Sequence, residues 1–181
     1  IFSIYIFLGP CKMIPNTFEL SRVTFTFTTP MLVSTGSGDD VNDAICVRDV
    51  HGLPTIPGTS IAGALRHRLT AIHGKEACDH VFGCSEDKEN DRKNTRSKIT
   101  ISWGVVHDAT DTPVSSDPFT EPNDDVLSFL QQGVHRDHVR ISEYGVAEKH
   151  GKFDELLVPT GVRFTCSVML EKNDLLTMSQ I

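Results

Sequence analysis

The spacing of apolar and polar positions changes several times along the chain, and each change marks an element. Residues 18–28 alternate in places and are rich in β-branched and aromatic side chains, which predicts a strand. Residues 29–42 form a turn-rich run of Gly, Ser and Asp, and residues 44–47 a short strand. Over residues 52–66, two prolines and three glycines first keep the chain extended, because Pro fixes φ and disfavours helix in the residue before it. Thr59 or Ser60 can then cap a helix over residues 59–73, with Ile61, Ala64, Leu65 and Leu69 at helical spacing. Gly63 costs that helix stability against Ala, which points to a close approach at this position.

Residues 83–98 are almost wholly polar and predict a loop, and residues 99–106 a second clear strand. Residues 108–133 look irregular apart from a short helical patch at 125–130, and strands are expected over 139–146 and 164–170. The order strand, helix, strand, insertion, strand gives an α+β class. The helix stripe Ile61, Leu65, Leu69 and Ile72 is expected to bury against Phe25, Phe27, Ile101 and Val105.

Composition narrows the picture. The chain has 181 residues, enough for one domain with a real core, and 39% hydrophobic with 23% charged residues describes a soluble globular protein. A formal net charge of -7 excludes a surface coated in basic residues while leaving room for a local basic groove. Charge is segregated: Lys88, Arg92, Lys93, Arg96 and Lys98 crowd together, whereas the following stretch holds Asp108, Asp111, Asp117, Glu121, Asp124 and Asp125 and no Lys or Arg before Arg136. The acidic run is expected to face away from nucleic acid, or to be a plain solvated loop.

Five irregularly spaced cysteines make no disulfide framework and suit a reducing, cytoplasmic setting. The apolar opening Ile1 to Leu8 is too short for a bilayer, which needs roughly 20 residues, and lacks the basic flank of a secretory signal. Met13 is a candidate start. Residues 1–12 are therefore expected to be an extra N-terminal segment outside the core, with the domain spanning 13–181.

The run Leu53-Pro54-Thr55-Ile56-Pro57-Gly58-Thr59-Ser60-Ile61-Ala62-Gly63-Ala64-Leu65-Arg66 resembles the signature of the RAMP superfamily, the RNA-guided effector subunits of CRISPR systems. Its flanks agree: Thr35-Gly36-Ser37-Gly38, residues 42–49, Val81-Phe82-Gly83, Val139-Arg140-Ile141, Gly145-Val146-Ala147 and residues 152–161 resemble further family blocks in the same order. The likeness is greatest to the repeated backbone subunit of type III complexes, including versions fused into one chain. It implies a ferredoxin-like RAMP fold with inserted loops. A thumb-like β-hairpin is expected over about 134–160, where Val139, Ile141 and Tyr144 alternate. That fold needs another helix and strand after Leu170, so the domain is expected to be C-terminally truncated. The implied partners are guide RNA (crRNA), target RNA and neighbouring RAMP subunits or domains, with no membrane.

From the residues alone, a glycine-edged helix start with free N–H groups is a ready phosphate site, with Arg66 and Arg68 just beyond it. The resemblance extends this to guide-backbone contacts at Ser37, Gly38, Arg48, Ser60, Arg66 and Arg136, a mode that accepts any guide sequence. It also places the single catalytic aspartate of target-cutting relatives at Asp43. A carboxylate there holds Mg²⁺ with phosphate oxygens or orients a ribose 2′-hydroxyl. Asp39, Asp40 and Asp49 lie close enough in sequence to substitute or assist, and an Asn-Asp pair is otherwise an ordinary turn. His73, Cys78, His80 and Cys84 fall within twelve residues where type III relatives often carry a structural Zn²⁺. Their spacing is not a standard finger, and plain packing is the alternative. The expected activity is RNA-guided cleavage of target RNA. The alternatives are a non-catalytic RNA-binding scaffold and a guide-processing endoribonuclease of the same superfamily, whose glycine-rich C-terminal loop is absent here.

Overall fold

The computed structural model describes residues 2–7, 17–85, 94–114, 124–172, 177 and 181. Expectations for Met13, Lys88, Arg92, Lys93, Asp117 and Glu121 lie outside the described residues. In chain order the elements are β1 (Phe2–Phe7), β2 (Phe18–Phe27), β3 (Ala44–Ile45), α1 (Gly58–His73), α2 (Lys75–Phe82), β4 (Ile99–Ile101) and β5 (Val105–Val106), then α3 (Asp125–Gln132), β6 (Val134–Ile141), β7 (Ala147–Leu157) and β8 (Arg163–Glu171). One sheet runs β1-β2-β8-β4 with β5 also on β8, and a second runs β3-β7-β6. Two sheets with helices make a mixed fold of the ferredoxin-like kind expected. Phe2–Phe7, within the segment expected outside the core, forms the edge strand beside β2. Among the described residues no helix is long and apolar enough to cross a membrane.

Two compact units divide the chain. One contains residues 1–4, 25–56 and 105–165, the other residues 5–24, 57–104 and 166–181.

In the first unit, Phe25, Phe27 and Phe164 form an aromatic cluster with centroids 5.7 to 6.1 Å apart. Met31, Cys46, Leu53, Ile56, Leu127, Leu130, Leu157 and Val158 are buried in the same unit. β6 and β7 pair antiparallel from Val134↔Leu157 to Val139↔Lys152, shift register between Val139 and Ile141, and reverse through a turn closed by the Ser142 N–H to the Val146 carbonyl. The hairpin expected over 134–160 is therefore present. The single strand expected over 139–146 is instead the end of β6 and this turn, where Gly145 takes a φ of 75°. The far half of β7 then pairs parallel with β3, Ala44 against Glu155 and Ile45 against Leu156. α3 starts at Asp124, whose carboxylate accepts the N–H groups of Val126 and Leu127, and ends at Gly133.

In the second unit, α1 begins one residue earlier than expected, after Pro57, and neither Thr59 nor Ser60 caps it with a side chain. The reason lies at Gly58: a Cβ there would sit 2.1 Å from the Ile101 carbonyl oxygen, so backbone packing on β4 fixes the helix start. Leu69 is buried, Ile61 and Leu65 are half-buried, and Ile72 is 61% exposed, so the expected stripe ends early. Among the described residues nothing lies within 4 Å of a Cβ added at Gly63, so no described part of this chain makes the close approach expected there. The chain breaks at Gly74 (φ 84°) and starts α2, an unforeseen helix whose Cys78 and Val81 are fully buried. The strand expected over 99–106 is interrupted after Ile101: the Ser102 hydroxyl, not a carbonyl, accepts the Ser167 N–H, while the Ser102 N–H donates to the Ser167 carbonyl. Along β8, Cys166, Val168 and Leu170 point inward in strand alternation.

Candidate functional site

Asp43 stands at the entry to β3. Its N–H donates to the Asp154 carbonyl at 2.9 Å, and its Oδ2 accepts the Asp154 N–H at 2.9 Å. Two bonds to one residue of β7 thus fix both its backbone and its carboxylate. The residue is exposed, and Oδ1 accepts no hydrogen bond among the described residues. One oxygen is anchored and one is open, which suits a group that must present charge in a fixed direction.

The preceding loop is built to hold this position. Asp39 accepts the N–H groups of Val41 (2.9 Å) and Asn42 (2.6 Å), and the Asn42 amide donates to both its oxygens at 3.1 and 3.3 Å. These bonds, the Asn42 N–H first, hold the Asp39 carboxyl below the usual carboxylate range. Gly38 is required here by close approach: a Cβ would lie 2.1 Å from the Asn42 carbonyl oxygen. The Thr35 hydroxyl donates to the Ser37 carbonyl at 2.9 Å, closing the glycine-rich stretch on itself. Asn42 is buried, and its amide oxygen lies 2.8 Å from His135 Nδ1 on β6. Asp49 is a turn builder, accepting the N–H groups of His51 and Leu53 at 2.9 Å each. Of the four aspartates considered, Asp39 and Asp49 are therefore occupied in turns.

The expected guide contacts divide into outward and inward groups. Ser37, Ser60 and Arg136 are exposed, and Arg136 has no ion pair among the described residues. Arg48 is turned inward: Nη1 donates to the carbonyls of Gly52, Leu130 (3.2 Å) and Gln131 (2.8 Å), and Nη2 is buried without a partner among the described residues. A cation over the last carbonyls of α3 satisfies otherwise orphaned acceptors and opposes the helix dipole. Arg66 pairs with Asp79 of α2 at 2.5 Å, with Asp79 almost fully buried. Both arginines first serve the fold, which the sequence did not reveal. At the start of α1, no acidic residue occupies the first turn, and the N–H groups of Ser60 and Ile61 turn back to the Pro57 carbonyl.

His73, Cys78, His80 and Cys84 do not gather. Cys78 faces the core, His80 is exposed and touches Lys98 Nζ, and the Cys84 sulfur lies 3.2 Å from the Thr95 hydroxyl. Among the described residues no three His, Cys, Asp or Glu side chains are grouped as a metal ion requires. Sequence reading missed Asn42, His135 and Asp154 as site residues. No local signal marks them, since they meet across 93 and 111 positions.

The sequence profile of the RAMP superfamily matches residues 24–178. No curated protein matches. Among solved structures, the fold is similar to a chain described as "Cryo-EM structure of the Type III-B Cmr-beta bound to cognate target RNA" with TM-score 0.66 and 13% identity, covering 88% of this chain and 87% of that one. It is also similar to a chain of "Type III-B Cmr-beta Cryo-EM structure of the Apo state" with TM-score 0.62 and 12% identity, covering 86% and 85%. At such identities the likeness speaks for the fold alone.

Proposed function

The chain belongs to the RAMP superfamily, and from that premise we propose that it is a backbone domain of a type III CRISPR effector that holds guide RNA and cuts paired target RNA at Asp43. The observation that carries this reading is the Asp43 carboxylate itself, anchored through Oδ2 by the Asp154 N–H and open at Oδ1. The fold likeness to Type III-B Cmr-beta, one example of which is described as bound to cognate target RNA, supports RNA as ligand and sister subunits as partners.

Guide phosphates are received at the start of α1, where the exposed Thr59 and Ser60 meet a first turn free of carboxylates, and by Arg136 on β6. A net charge of -7 makes such contacts local, so affinity comes from a few placed donors and not from a general basic surface. The hairpin β6–β7, whose tip exposes Ile141, Tyr144 and Val146, is the element that displaces a nucleotide of the paired target. Unstacking a base costs a few kcal/mol and exposes the neighbouring phosphodiester to Asp43. With a single carboxylate in place, Mg²⁺ would be held by Asp43 together with phosphate oxygens and water, in keeping with its habit of retaining several waters. Bound there, it would neutralise charge on the phosphate.

The test is to assemble the chain with guide RNA and labelled complementary target, with and without Mg²⁺. Cuts in the target are expected. Cuts in precursor guide instead would identify a guide-processing nuclease, and RNA binding without cuts a scaffold.

A further inference from the structure

Granting that Asp43 marks the point of cutting, we propose that His135 is the general base, taking the proton from the ribose 2′-hydroxyl that attacks the adjacent phosphate. The chain of contacts behind it fixes its chemistry. A carboxylate only accepts hydrogen bonds, so the Asn42 NH₂ must be the group facing Asp39, at 3.1 and 3.3 Å. The Asn42 oxygen therefore faces His135, and since an amide oxygen also only accepts, the imidazole proton sits on Nδ1, 2.8 Å away. In the neutral ring this leaves the lone pair on Nε2. Nε2 makes no hydrogen bond among the described residues, and His135 is exposed.

An oriented imidazole, a buried amide and an ionised carboxylate form the base-plus-orienter arrangement on which nucleophile activation depends. Asp39 also attracts the imidazolium that forms when Nε2 takes a proton. Position agrees. His135 lies opposite Leu156, which in turn lies opposite Ile45, so β6 is two strands from the segment carrying Asp43. Two strand spacings are about 10 Å, and the two residues from Ile45 back to Asp43 add about 7 Å along the strand, an oblique gap that a nucleotide lying between them spans. Asn42 and Asp43 are adjacent residues, so the loop that aims the base also sets the carboxylate.

The step balances without an oxidant or reductant. The 2′-oxygen bonds to phosphorus as its proton passes to Nε2, the bond from phosphorus to the 5′-oxygen breaks, and that oxygen takes a proton from water. The products are a 2′,3′-cyclic phosphate and a 5′-hydroxyl end. Charged groups on the elements against His135 are Asp39 and Asp43 on the loop, Asp154 and Glu155 on β7, and Arg136 and Asp137 on β6.

The experiment measures single-turnover target cutting against pH for wild type, His135→Ala, His135→Gln and Asp43→Ala, each loaded with guide RNA, with guide binding as the control for folding. His135→Gln can still donate to Asn42 but cannot act as a base. The wild-type rate should rise with pH as the imidazole base gives up its proton. Both His135 variants should cut about 10²-fold more slowly and lose that rise, and added imidazole should restore His135→Ala. Wild-type pH dependence in His135→Ala, or slow cutting that keeps the rise and resists imidazole, would overturn the proposal. If Asp43→Ala is inactive while His135→Ala is normal, the cutting role of Asp43 stands and the base lies elsewhere. A wild-type chain that never cuts removes both.

Discussion

Two regions of this chain carry residues of the right chemistry for a site, and they fold to opposite results. His73, Cys78, His80 and Cys84 are neighbours in sequence, yet α2 sends Cys78 into the core, leaves His80 in solvent beside Lys98, and the chain then seats Cys84 against Thr95. Asp39, Asn42, Asp43, His135 and Asp154 are scattered over more than a hundred positions, yet strand pairing of β3, β7 and β6 brings them into one connected set. A short helix turns successive residues about 100° apart and so disperses a tight sequence cluster. A sheet aligns distant residues in rows and so assembles a loose one. Proximity along the chain is weak evidence for a site; register across strands is stronger.

Substitution at the two thiols tests the dispersed region first, with the larger effect. Cys78→Ser should lower stability by about 1–3 kcal/mol, the cost of burying a hydroxyl without a partner. Cys84→Ser keeps its neighbour Thr95 within hydrogen-bonding reach and should stay within about 0.5 kcal/mol of wild type. Thermal melts of the purified chain, with metal content measured alongside, decide the matter. Equal losses from both variants, accompanied by release of about one zinc per chain, would mean that this region is assembled after all.

A smaller effect is expected from the pH response of the assembled region. Backbone N–H bonds from Asn42 and Val41 depress the Asp39 carboxyl in the folded chain. A depressed acid stabilises the fold above its unfolded pKa of about 3.9, and that contribution is lost as pH falls through the lower folded value. NMR titration of the Asp39 carboxyl should therefore show a midpoint below that of a free aspartate, and Asn42→Ala, which keeps the backbone N–H and removes only the side-chain amide, should move it up by a small part of that difference. An unshifted midpoint would mean that the loop is not held as described.

What the sequence disclosed follows the same division. The alternation in 164–170 and the β-branched run in 18–28 are local signals, and both became strands. The hairpin over 134–160 was legible through the family likeness, although the strand boundaries inside it were not. α2 has its own signal, since Ala77, Cys78, Val81 and Phe82 carry a helical spacing, but the helix is only 8 residues long and starts directly after Gly74. Nothing local in the sequence reveals that the α3 carbonyls and Asp79 await Arg48 and Arg66. Likeness places Asp43, but Asp154, which holds it by backbone, depends on long-range pairing that no single-chain pattern displays, whereas the Asp39–Asn42 bonds beside it span only three positions.

The most direct test of Asp43 as the cutting residue is Asp43→Asn in the guide-loaded chain. The amide oxygen can still accept the Asp154 N–H, so the anchor survives while the charge is lost. The account predicts guide binding equal to wild type and target cutting slower by about 10²-fold or more. Cutting at the wild-type rate by Asp43→Asn would contradict it.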